Sequence, residues 1–331
     1  MNSQLTIRSM VQSSWVLLVS LLLFLVIALR ENPVELFSWF NEVGNYQPSF
    51  WLHITHLGEF LVTAAFLSIL ITKWPRLLGP TLISIIIAIA SVQGLKHIVD
   101  APRPAAILLP GDINVIAPAS QATFTANPNT DYEALIDSRS DLATTWDQIT
   151  RNPNSQEARY WIPRMDGHIT KNRFGIAYQK ETNELANNIY TGIYQRSSRS
   201  FPSGHTATIV CAITLILLHI RSRKLIIALS GIALTVGASR IIVGVHWPID
   251  VAAGGLLGWT TALLGSHLSR YFRLPPGSVF KYLIALLPIT IGILLLTRSS
   301  LYPQVALFED ILGLTAILVG TYSSLQLSRH S

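Results

Sequence analysis

Long apolar runs separated by short polar stretches dominate the hydrophobic pattern of this chain. Each run is close to the ~17–25 residues that a helix needs to cross a lipid bilayer. Eight such segments are predicted, at residues 13–30, 51–72, 79–99, 204–220, 224–240, 248–268, 280–297 and 306–326. The fifth is short, and the acidic pair Glu309 and Asp310 is expected at the outer end of the eighth. The pattern therefore predicts an all-α integral membrane protein.

Composition agrees with a membrane protein and excludes several other classes. Half of the 331 residues are hydrophobic and 13% are charged, whereas a soluble domain carries about 25% charge. The single cysteine, Cys211, excludes an internal disulfide and a cysteine-based zinc site. The net charge of +6 would suit a nucleic-acid partner, but we interpret it as basic residues that flank membrane helices on the cytoplasmic side. No nucleic-acid partner is predicted.

The first apolar segment raises the question of a secretory signal. Arg8 and the apolar run 15–29 have some of its features, but the run is long. It is followed by the polar sequence 30–33, without a small-residue cleavage site. We therefore expect a retained first helix.

The short loops between segments predict the orientation of the chain. Basic residues follow the second, fourth and sixth segments and flank the termini: Lys73, Arg76, Arg221, Arg223, Lys224, Arg270, Arg273, Lys281, Arg8 and Arg329. The alternate loop at 31–50 has three glutamates and no Lys or Arg. Because positive residues favour the cytoplasmic side, we expect a multi-pass protein of the inner (plasma) membrane with both termini cytoplasmic. Residues 100–202 then lie on the periplasmic or extracellular side.

The long outer stretch divides the chain into four regions. At about 100 residues it is too long for a passive connection, so we expect an extracytoplasmic cap that carries part of the site and includes an amphipathic helix at 131–150. Gly254 and Gly258, in the sixth segment, have the spacing of tight helix packing. The predicted regions are 1–99 with transmembrane helices 1–3, 100–202 with the cap, 203–268 with helices 4–6, and 269–331 with helices 7–8.

Three short polar strings, each at an end of an apolar segment, contain the candidate chemistry. They are Lys96 with Arg103-Pro104, then Pro202-Ser203-Gly204-His205, then Ser239-Arg240 with His246 and Asp250. Together they supply three cations, two histidines and a carboxylate, a complete set for phosphoryl transfer without metal. The orientation derived from the loops used none of these strings, yet it places all three on the outer face. The predicted partners are therefore a lipid that carries phosphate and the bilayer itself.

The third string predicts a nucleophile. His246 and Asp250 are four residues apart, and Pro248 between them can open a helix at its first turn. Asp250 would accept one ring N–H of His246, which leaves the other ring nitrogen free to attack phosphorus. His205 would act as the general acid that protonates the departing oxygen.

Phosphate binding is assigned to the cations and to the start of the fourth segment. Lys96, Arg103 and Arg240 would hold the non-bridging oxygens through charge-assisted hydrogen bonds. Ser203 and the Gly204 amide would add donors at a helix N-terminus, which attracts anions. No cofactor and no metal are predicted.

These strings resemble the three-part pattern of the type 2 phosphatidic acid phosphatases. The matching residues are Lys-x6-Arg-Pro at 96–104, Pro-Ser-Gly-His at 202–205 and Ser-Arg-x5-His-x3-Asp at 239–250. That superfamily includes lipid phosphate phosphatases and vanadium haloperoxidases, and the chain looks like its bacterial membrane branch of phosphatidylglycerophosphate and undecaprenyl pyrophosphate phosphatases. The resemblance implies a six-helix core and a phosphohistidine mechanism without metal. The outer stretch is longer than in a minimal member, and the last two segments lie beyond that core.

Other functions are also compatible with parts of the pattern. The same site could pass a phosphoryl group from a polyprenyl pyrophosphate to a second lipid, as a lipid phosphotransferase. A non-enzymatic lipid transporter or binding protein would need only the cations, so the pair of His205 and His246 argues against it. A vanadate-dependent oxidase is disfavoured, since the relatives with that activity are soluble. The sequence predicts neither the identity of the lipid nor the oligomeric state.

Three further ionisable residues step by three along the predicted second helix, namely His53, His56 and Glu59. Ionisable groups inside a membrane are often functional, so these residues could support the phosphate site or bind a metal. Solvation or interhelical hydrogen bonds near the outer surface are the interpretation that we favour.

Overall fold

The computed structural model describes residues 7–101, 103–104, 199–271, 278–298 and 303–329. The regular structure in these ranges is helical, which confirms the predicted all-α class. Its α-helices are α1 (Ile7–Arg30), α2 (Pro33–Glu42), α3 (Pro48–His56), α4 (Phe60–Lys73), α5 (Leu78–Val99), α6 (Gly204–Leu217), α7 (Arg223–Ile242), α8 (Pro248–Leu268), α9 (Ser278–Thr297) and α10 (Pro303–Arg329). The predicted amphipathic helix at 131–150, and most of the predicted cap, lie outside the described residues.

Several helices are long and apolar enough to cross a membrane on their own. Within the described ranges there are five, covering Ser9–Arg30, Pro75–Val99, Arg223–Ile242, Phe280–Thr297 and Val305–Ser328. Large apolar side chains cover their outer faces, and Leu23, Ile86 and Leu318 are 60–69% exposed. Apolar surface of this extent requires an apolar environment. The chain is therefore a multi-pass membrane protein.

The second predicted segment, 51–72, forms two helices and not one. α3 and α4 together have the composition of a span, but they are bent by 56°. Glu59 caps α4, because its side chain accepts a hydrogen bond from the Val62 amide at 3.0 Å. Gly58 lies against α6, where an added Cβ would be 3.0 Å from the His205 carbonyl oxygen. A carboxylate cap and a close helix contact thus interrupt a run that hydrophobicity alone predicts as continuous.

Two other segments differ from the predicted spans. The fourth, predicted at 204–220, forms α6, whose 14 residues are fewer than a straight span requires. The sixth forms α8, which has 21 residues but is less apolar than the five candidate spans. Its four glycines and its threonines lower the apolar content of a helix that faces other helices rather than lipid.

α8 lies at the centre of the bundle, in contact with α1, α5, α6 and α7. Glycine permits its close approach to α6. An added Cβ at Gly254 would lie 2.4 Å from the Ser203 carbonyl oxygen, and one at Gly258 would lie 2.3 Å from the Ala207 carbonyl oxygen. The predicted tight packing at these two glycines is confirmed. It fixes the start of α8 beside the start of α6, where two of the three polar strings lie.

α9 and α10 form a closely packed hairpin beside α4. At their crossing, a Cβ added to Gly292 would lie 2.5 Å from the Gly313 carbonyl oxygen. Leu295 of α9 and Leu312 of α10 share a buried cluster with residues of α4. The last two segments therefore extend the bundle next to the bend between α3 and α4.

Candidate active site

The structure brings the three polar strings together at one end of the bundle. Backbone hydrogen bonds connect them: the Ser200 amide donates to the Ala101 carbonyl at 2.7 Å, and the Ser203 amide donates to the Asp250 carbonyl at 2.9 Å. The first bond joins the segment after α5 to the segment before α6, and the second joins that segment to α8. The strings at 96–104, 202–205 and 239–250 thus lie together in the structure.

A tight return between α7 and α8 presents His246. Gly244 has φ 80°, a left-handed conformation that glycine adopts at little cost. The amides of Val245 and His246 both donate to the Arg240 carbonyl, at 3.1 and 3.2 Å. Pro248 then opens α8 at its first position, as predicted. The return places the imidazole of His246 over the first turn of α8, and the residue is 2% exposed.

Asp250 and Ser200 hold one side of that imidazole. His246 Nδ1 lies 3.4 Å from Asp250 Oδ2 and 3.3 Å from Ser200 Oγ. Ser200 Oγ also donates to Asp250 Oδ2 at 2.5 Å, and the Trp247 amide donates to the same oxygen at 2.8 Å. In the part of the chain that the structure describes, His246 Nε2 has no hydrogen-bond partner. The imidazole is therefore oriented through Nδ1, with Nε2 directed away from the carboxylate.

Each of the three cations is anchored by a contact outside the histidine cluster. Arg240 Nη1 donates to Thr55 Oγ1 at 2.7 Å, and Arg103 Nη1 donates to the Val245 carbonyl at 3.0 Å. Lys96 Nζ donates to the Arg199 carbonyl at 3.1 Å. Both guanidinium groups are buried. Lys96 is partly exposed. Two buried guanidinium groups beside an ammonium group can bind a phosphate strongly, since charge-assisted hydrogen bonds gain strength where water is excluded.

Burial and the cations determine the charge of His246. Burial lowers the pKa of His246 well below its ordinary value, and the positive charges of Arg103, Arg240 and Lys96 lower it further. The imidazole is therefore neutral at neutral pH. A neutral imidazole with a free ring nitrogen is the form that can attack an electrophile.

The Pro-Ser-Gly-His string lies at the start of α6. Ser203 is the N-cap of this helix, since its Oγ accepts hydrogen bonds from the Thr206 amide at 3.4 Å and the Thr206 hydroxyl at 2.8 Å. Gly204 begins the helix, and His205 follows. The His205 ring interacts electrostatically with Arg240 and His246, and the described residues give it no hydrogen-bond partner. It is therefore available to a bound molecule.

An apolar cavity of about 390 Å³ leads away from the site between α4, α5 and α6. Gly204 and His205 lie at one end of it, and Cys211 and Leu215 line it further along α6. Ten residues of helix separate His205 from Leu215, or about 15 Å at 1.5 Å per residue. The cavity has the length and the lining to hold a hydrocarbon chain whose polar end is at His205.

The three ionisable residues of the second segment are not arranged along one helix face. His53 Nδ1 contacts the Ser49 carbonyl at 2.7 Å, whereas His56 Nε2 contacts Glu309 Oε1 of α10 at 2.5 Å. Glu59 is the cap of α4 described above. The described ranges hold no cluster of three His, Cys, Asp or Glu side chains that could bind a metal ion. Interhelical hydrogen bonding is thus the interpretation that applies to His56.

Sequence reasoning missed two residues that contact the site. Ser200 lies two positions before the Pro-Ser-Gly-His string, and that proximity is the one signal that the sequence offered for it. Thr55 holds Arg240 from the end of α3, about 185 residues away in the chain. Nothing in the local sequence of Thr55 indicates that contact.

A buried histidine and carboxylate beside three cations, at one end of a membrane helix bundle, form a site that can bind a phosphate group. The sequence model of the PAP2 superfamily matches residues 77–274. The chain belongs to the PAP2 superfamily, which confirms the resemblance found in the sequence. All eight predicted site residues lie within the matched range.

Curated relatives match shorter stretches. The chain is 38% identical over 88 residues to a protein named lipid A 1-phosphatase from Porphyromonas gingivalis, covering 26% of this chain and 20% of that protein. It is 44% identical over 77 residues to bacitracin transport permease protein BcrC from Bacillus licheniformis, covering 23% and 36%. It is 48% identical over 67 residues to undecaprenyl-diphosphatase from Sulfolobus acidocaldarius, covering 19% and 31%. The chain therefore spans about a third or less of the length of these relatives. No solved structure matches the chain significantly.

Proposed function

We propose that the protein is a membrane phosphatase that hydrolyses a lipid phosphate or pyrophosphate through a phosphohistidine intermediate on His246, without metal. The observation that carries this proposal is the geometry of His246. Asp250 and Ser200 hold its Nδ1, no described residue forms a hydrogen bond with its Nε2, and the ring is neutral beside Arg103, Arg240 and Lys96. Membership of the PAP2 superfamily and the names of two relatives, a lipid A 1-phosphatase and an undecaprenyl-diphosphatase, support the same reaction class.

In the first step, His246 Nε2 attacks phosphorus and the bond from phosphorus to the lipid oxygen breaks. Asp250 accepts the Nδ1 proton in a hydrogen bond and stabilises the positive charge that develops on the ring. His205 becomes protonated when the anionic phosphate group binds beside it, and it gives this proton to the departing oxygen. Lys96, Arg103 and Arg240 bind the non-bridging oxygens, with the amides at the start of α6 as further donors.

In the second step, water attacks the phosphorus of the phosphohistidine on the side opposite His246. His205, now neutral, takes a proton from that water, so its two roles follow each other. The bond from phosphorus to Nε2 breaks, inorganic phosphate leaves, and the imidazole is again neutral. Two steps of moderate barrier replace one displacement at an anionic centre.

We further propose that the site faces the periplasm or the exterior of the cell, with both termini in the cytoplasm. The basic loops after α4, α6 and α8 support this orientation, because they lie at the end of the bundle opposite His246. Residues 100–202 would then form a cap over the site, residues 1–99 and 203–268 would form the family's core, and residues 269–331 would add the hairpin. The apolar cavity beside His205 supports a lipid substrate with its chain lying among α4, α5 and α6.

The proposal is tested by phosphate release from detergent-purified full-length protein in the presence of EDTA. Undecaprenyl pyrophosphate, phosphatidylglycerophosphate and phosphatidic acid are assayed separately, without an added lipid acceptor. We expect stoichiometric release of inorganic phosphate from at least one of them. Release that requires a second lipid would identify a phosphotransferase, and release that EDTA abolishes would contradict the proposed chemistry.

Filling the apolar cavity is expected to impair long-chain substrates selectively. Ala88 of α5 lines the cavity, so in Ala88→Trp the indole would occupy the space assigned to the lipid chain. We expect KM for the long-chain lipid to rise roughly 10-fold, since burial of a few methylene groups is lost. The rate with a water-soluble phosphate ester should not change.

Ile86→Trp is the matched control, because Ile86 lies on the same helix but is 68% exposed toward lipid. Equal effects of the two variants would contradict a chain-binding role for the cavity.

The pKa of His246 predicts how activity depends on pH. A pKa that is lowered in the folded protein keeps the imidazole neutral to more acidic pH, so protonation of His246 itself does not cause a loss of kcat/KM near pH 6.5. We therefore expect kcat/KM to persist as the pH falls through about 6.5, where an ordinary histidine is half protonated. The measurement uses a water-soluble ester whose own phosphate ionisation is determined separately by phosphorus NMR. Half-loss of the corrected kcat/KM at the ordinary histidine pKa would contradict the assignment.

Removal of the Ser200 hydroxyl is expected to lower activity moderately. In Ser200→Ala, Asp250 loses the hydroxyl that donates to Oδ2 at 2.5 Å and keeps the Trp247 amide. A hydrogen bond to a charged group contributes about 1.5–3 kcal/mol, so we expect kcat/KM to fall roughly 10-fold to 100-fold. Ser20→Ala removes a hydroxyl that bonds to the Val16 carbonyl in α1, far from the site, and is the matched control. If the kcat/KM of Ser200→Ala equalled that of this control, the proposed role of Ser200 in orienting Asp250 and His246 would be wrong.

A further inference from the structure

A network of charged side chains joins the C-terminal hairpin to the bend between α3 and α4. Glu309 of α10 contacts His56 Nε2 at 2.5 Å and pairs with Arg298, which follows α9. Arg298 Nη1 also donates to Glu59 Oε1 at 3.1 Å. These four residues are called the charge network below. All four lie outside residues 77–274, the range that matches the PAP2 superfamily.

The charge network is costly to place where it lies. Glu309 and His56 are 1% and 4% exposed, and burying a carboxylate is unfavourable unless it is well paired. Apolar residues would join two membrane helices at lower cost. Ionisable groups held inside a membrane bundle are commonly functional. The cost of this network therefore favours a role beyond joining the helices.

The residues that directly precede His56 and Glu59 in the chain both contact residues of the proposed active site. Thr55 precedes His56, and its Oγ1 accepts the hydrogen bond from Arg240 Nη1 at 2.7 Å. Gly58 precedes Glu59 and packs against His205. A Cβ added to Gly58 would lie 3.2 Å from the His205 Cβ. A shift of the bend would therefore move the support of Arg240 and the packing behind His205.

A second and independent contact links α10 to the loop that carries His246. Val305, in the first turn of α10, is fully buried in a cluster with Leu52 and Val243, and Val245 packs against the same cluster. Val243 and Val245 belong to the return between α7 and α8. The hairpin thus touches the proposed site through Thr55 and Gly58 at the bend and through Val243 and Val245 in the loop.

We propose that the hairpin α9–α10 is part of the active-site scaffold, and that Glu309 and Arg298 are positioning residues for Arg240 and His205. This inference rests on the proposed function for its kinetic test. The charge network fixes the α3–α4 bend, the bend fixes Thr55, and Thr55 directs the guanidinium of Arg240 toward the phosphate. Loss of the network should lower kcat more than it raises KM, because Arg240 acts most strongly on the charge that develops in the transition state.

The experiment is a double-mutant cycle on kcat/KM with Glu309→Gln and Thr55→Ala in full-length protein. We expect each single variant to lose roughly 10-fold, and the double variant to lose much less than the roughly 100-fold product, because both act on the same guanidinium. Effects that multiply, or a Glu309→Gln variant with wild-type kcat, would overturn the inference. If Glu309→Gln does not fold, Glu309→Asp takes its place in the cycle, because it keeps the charge but shortens the side chain. The same non-multiplicative loss of kcat/KM with Thr55→Ala is expected.

A matched control separates positioning from general stability. Ile284 of α9 is buried in a cluster with Ile71 and Leu77, at the other end of the hairpin from the charge network. Ile284→Ala should lower Tm and leave kcat/KM unchanged. If it reduced kcat/KM as much as Glu309→Gln at equal loss of Tm, the network would be a structural element only, and the inference would fail.

A readout without turnover keeps the two proposals distinguishable. Inorganic phosphate should raise the Tm of the wild-type protein by binding to the cations, and this shift should shrink in Glu309→Gln and persist in Ile284→Ala. If the wild-type protein releases no phosphate from any lipid, the proposed function fails while this comparison still tests the scaffold. A full phosphate shift in Glu309→Gln would overturn the scaffold inference whatever the activity.

Discussion

The variant His246→Ala is expected to lose phosphate release by on the order of 10⁴-fold, the largest effect of any single substitution in this protein. The nucleophile of a covalent mechanism cannot be replaced by a neighbour, and the residual rate is that of water in the same cradle of cations. Arg103, Arg240 and Lys96 remain in the variant. We therefore expect kcat to collapse while inorganic phosphate still binds, as a phosphate-dependent rise in Tm.

His219→Ala is the control for a histidine change in the same bundle. His219 lies just beyond α6, where its Nδ1 contacts the Leu215 carbonyl, at the end of the bundle opposite His246. The activity of His219→Ala should equal that of the wild-type protein. A rapid quench of the wild-type reaction should also trap phosphate on the protein in an acid-labile form, which His246→Ala should not show. Substantial activity in His246→Ala would mean that water attacks the substrate directly, and the phosphohistidine step would be wrong.

The proximity of the candidate site residues was largely predictable, because these residues are recognised by type and short spacing. His246 and Asp250 are one helical turn apart, so a proline that starts the helix is sufficient to predict their contact. The residues that hold the side chains of Asp250 and Arg240 in place were not predictable in this way. Ser200 and Thr55 are small polar residues whose roles depend on where a distant segment packs. Proximity to the Pro-Ser-Gly-His string is the one local signal for Ser200, and Thr55 has none.

The fold was predictable to the level of its apolar segments, and packing explains where the prediction failed. Hydrophobicity is continuous through 51–72, but the Glu59 cap and the contact of Gly58 with α6 divide it into two helices. The buried position of Glu309 was missed for the same reason. An acidic residue near a helix end is normally solvated, and its partners His56 and Arg298 become evident only when three helices are brought together.

Asp250→Asn is expected to cause the second largest loss, on the order of 10³- to 10⁴-fold in kcat. Asp250 Oδ2 accepts hydrogen bonds from Ser200 and the Trp247 amide and lies 3.4 Å from His246 Nδ1. In the variant, the new amide group can donate a proton toward Nδ1, and the imidazole then carries its own proton on Nε2. That tautomer has no lone pair directed at phosphorus, so the nucleophile is present but in the wrong protonation state.

The measurement that isolates this effect is the comparison of kcat with phosphate binding. Asparagine has nearly the size of aspartate, and the Ser203 amide still donates to the backbone carbonyl of residue 250, so the start of α8 should remain folded. An NH2 group in the place of Oδ2 loses the hydrogen bond from the Trp247 amide, so Tm should fall slightly. Removing a negative charge beside Lys96, Arg103 and Arg240 should leave phosphate binding intact or strengthen it. Asp310→Asn, an exposed carboxylate of α10, is the matched control and should match the wild-type protein in both quantities. Weakened phosphate binding with unchanged kcat would show that Asp250 organises the cations and not the imidazole, which would transfer its role from the nucleophile to the phosphate cradle.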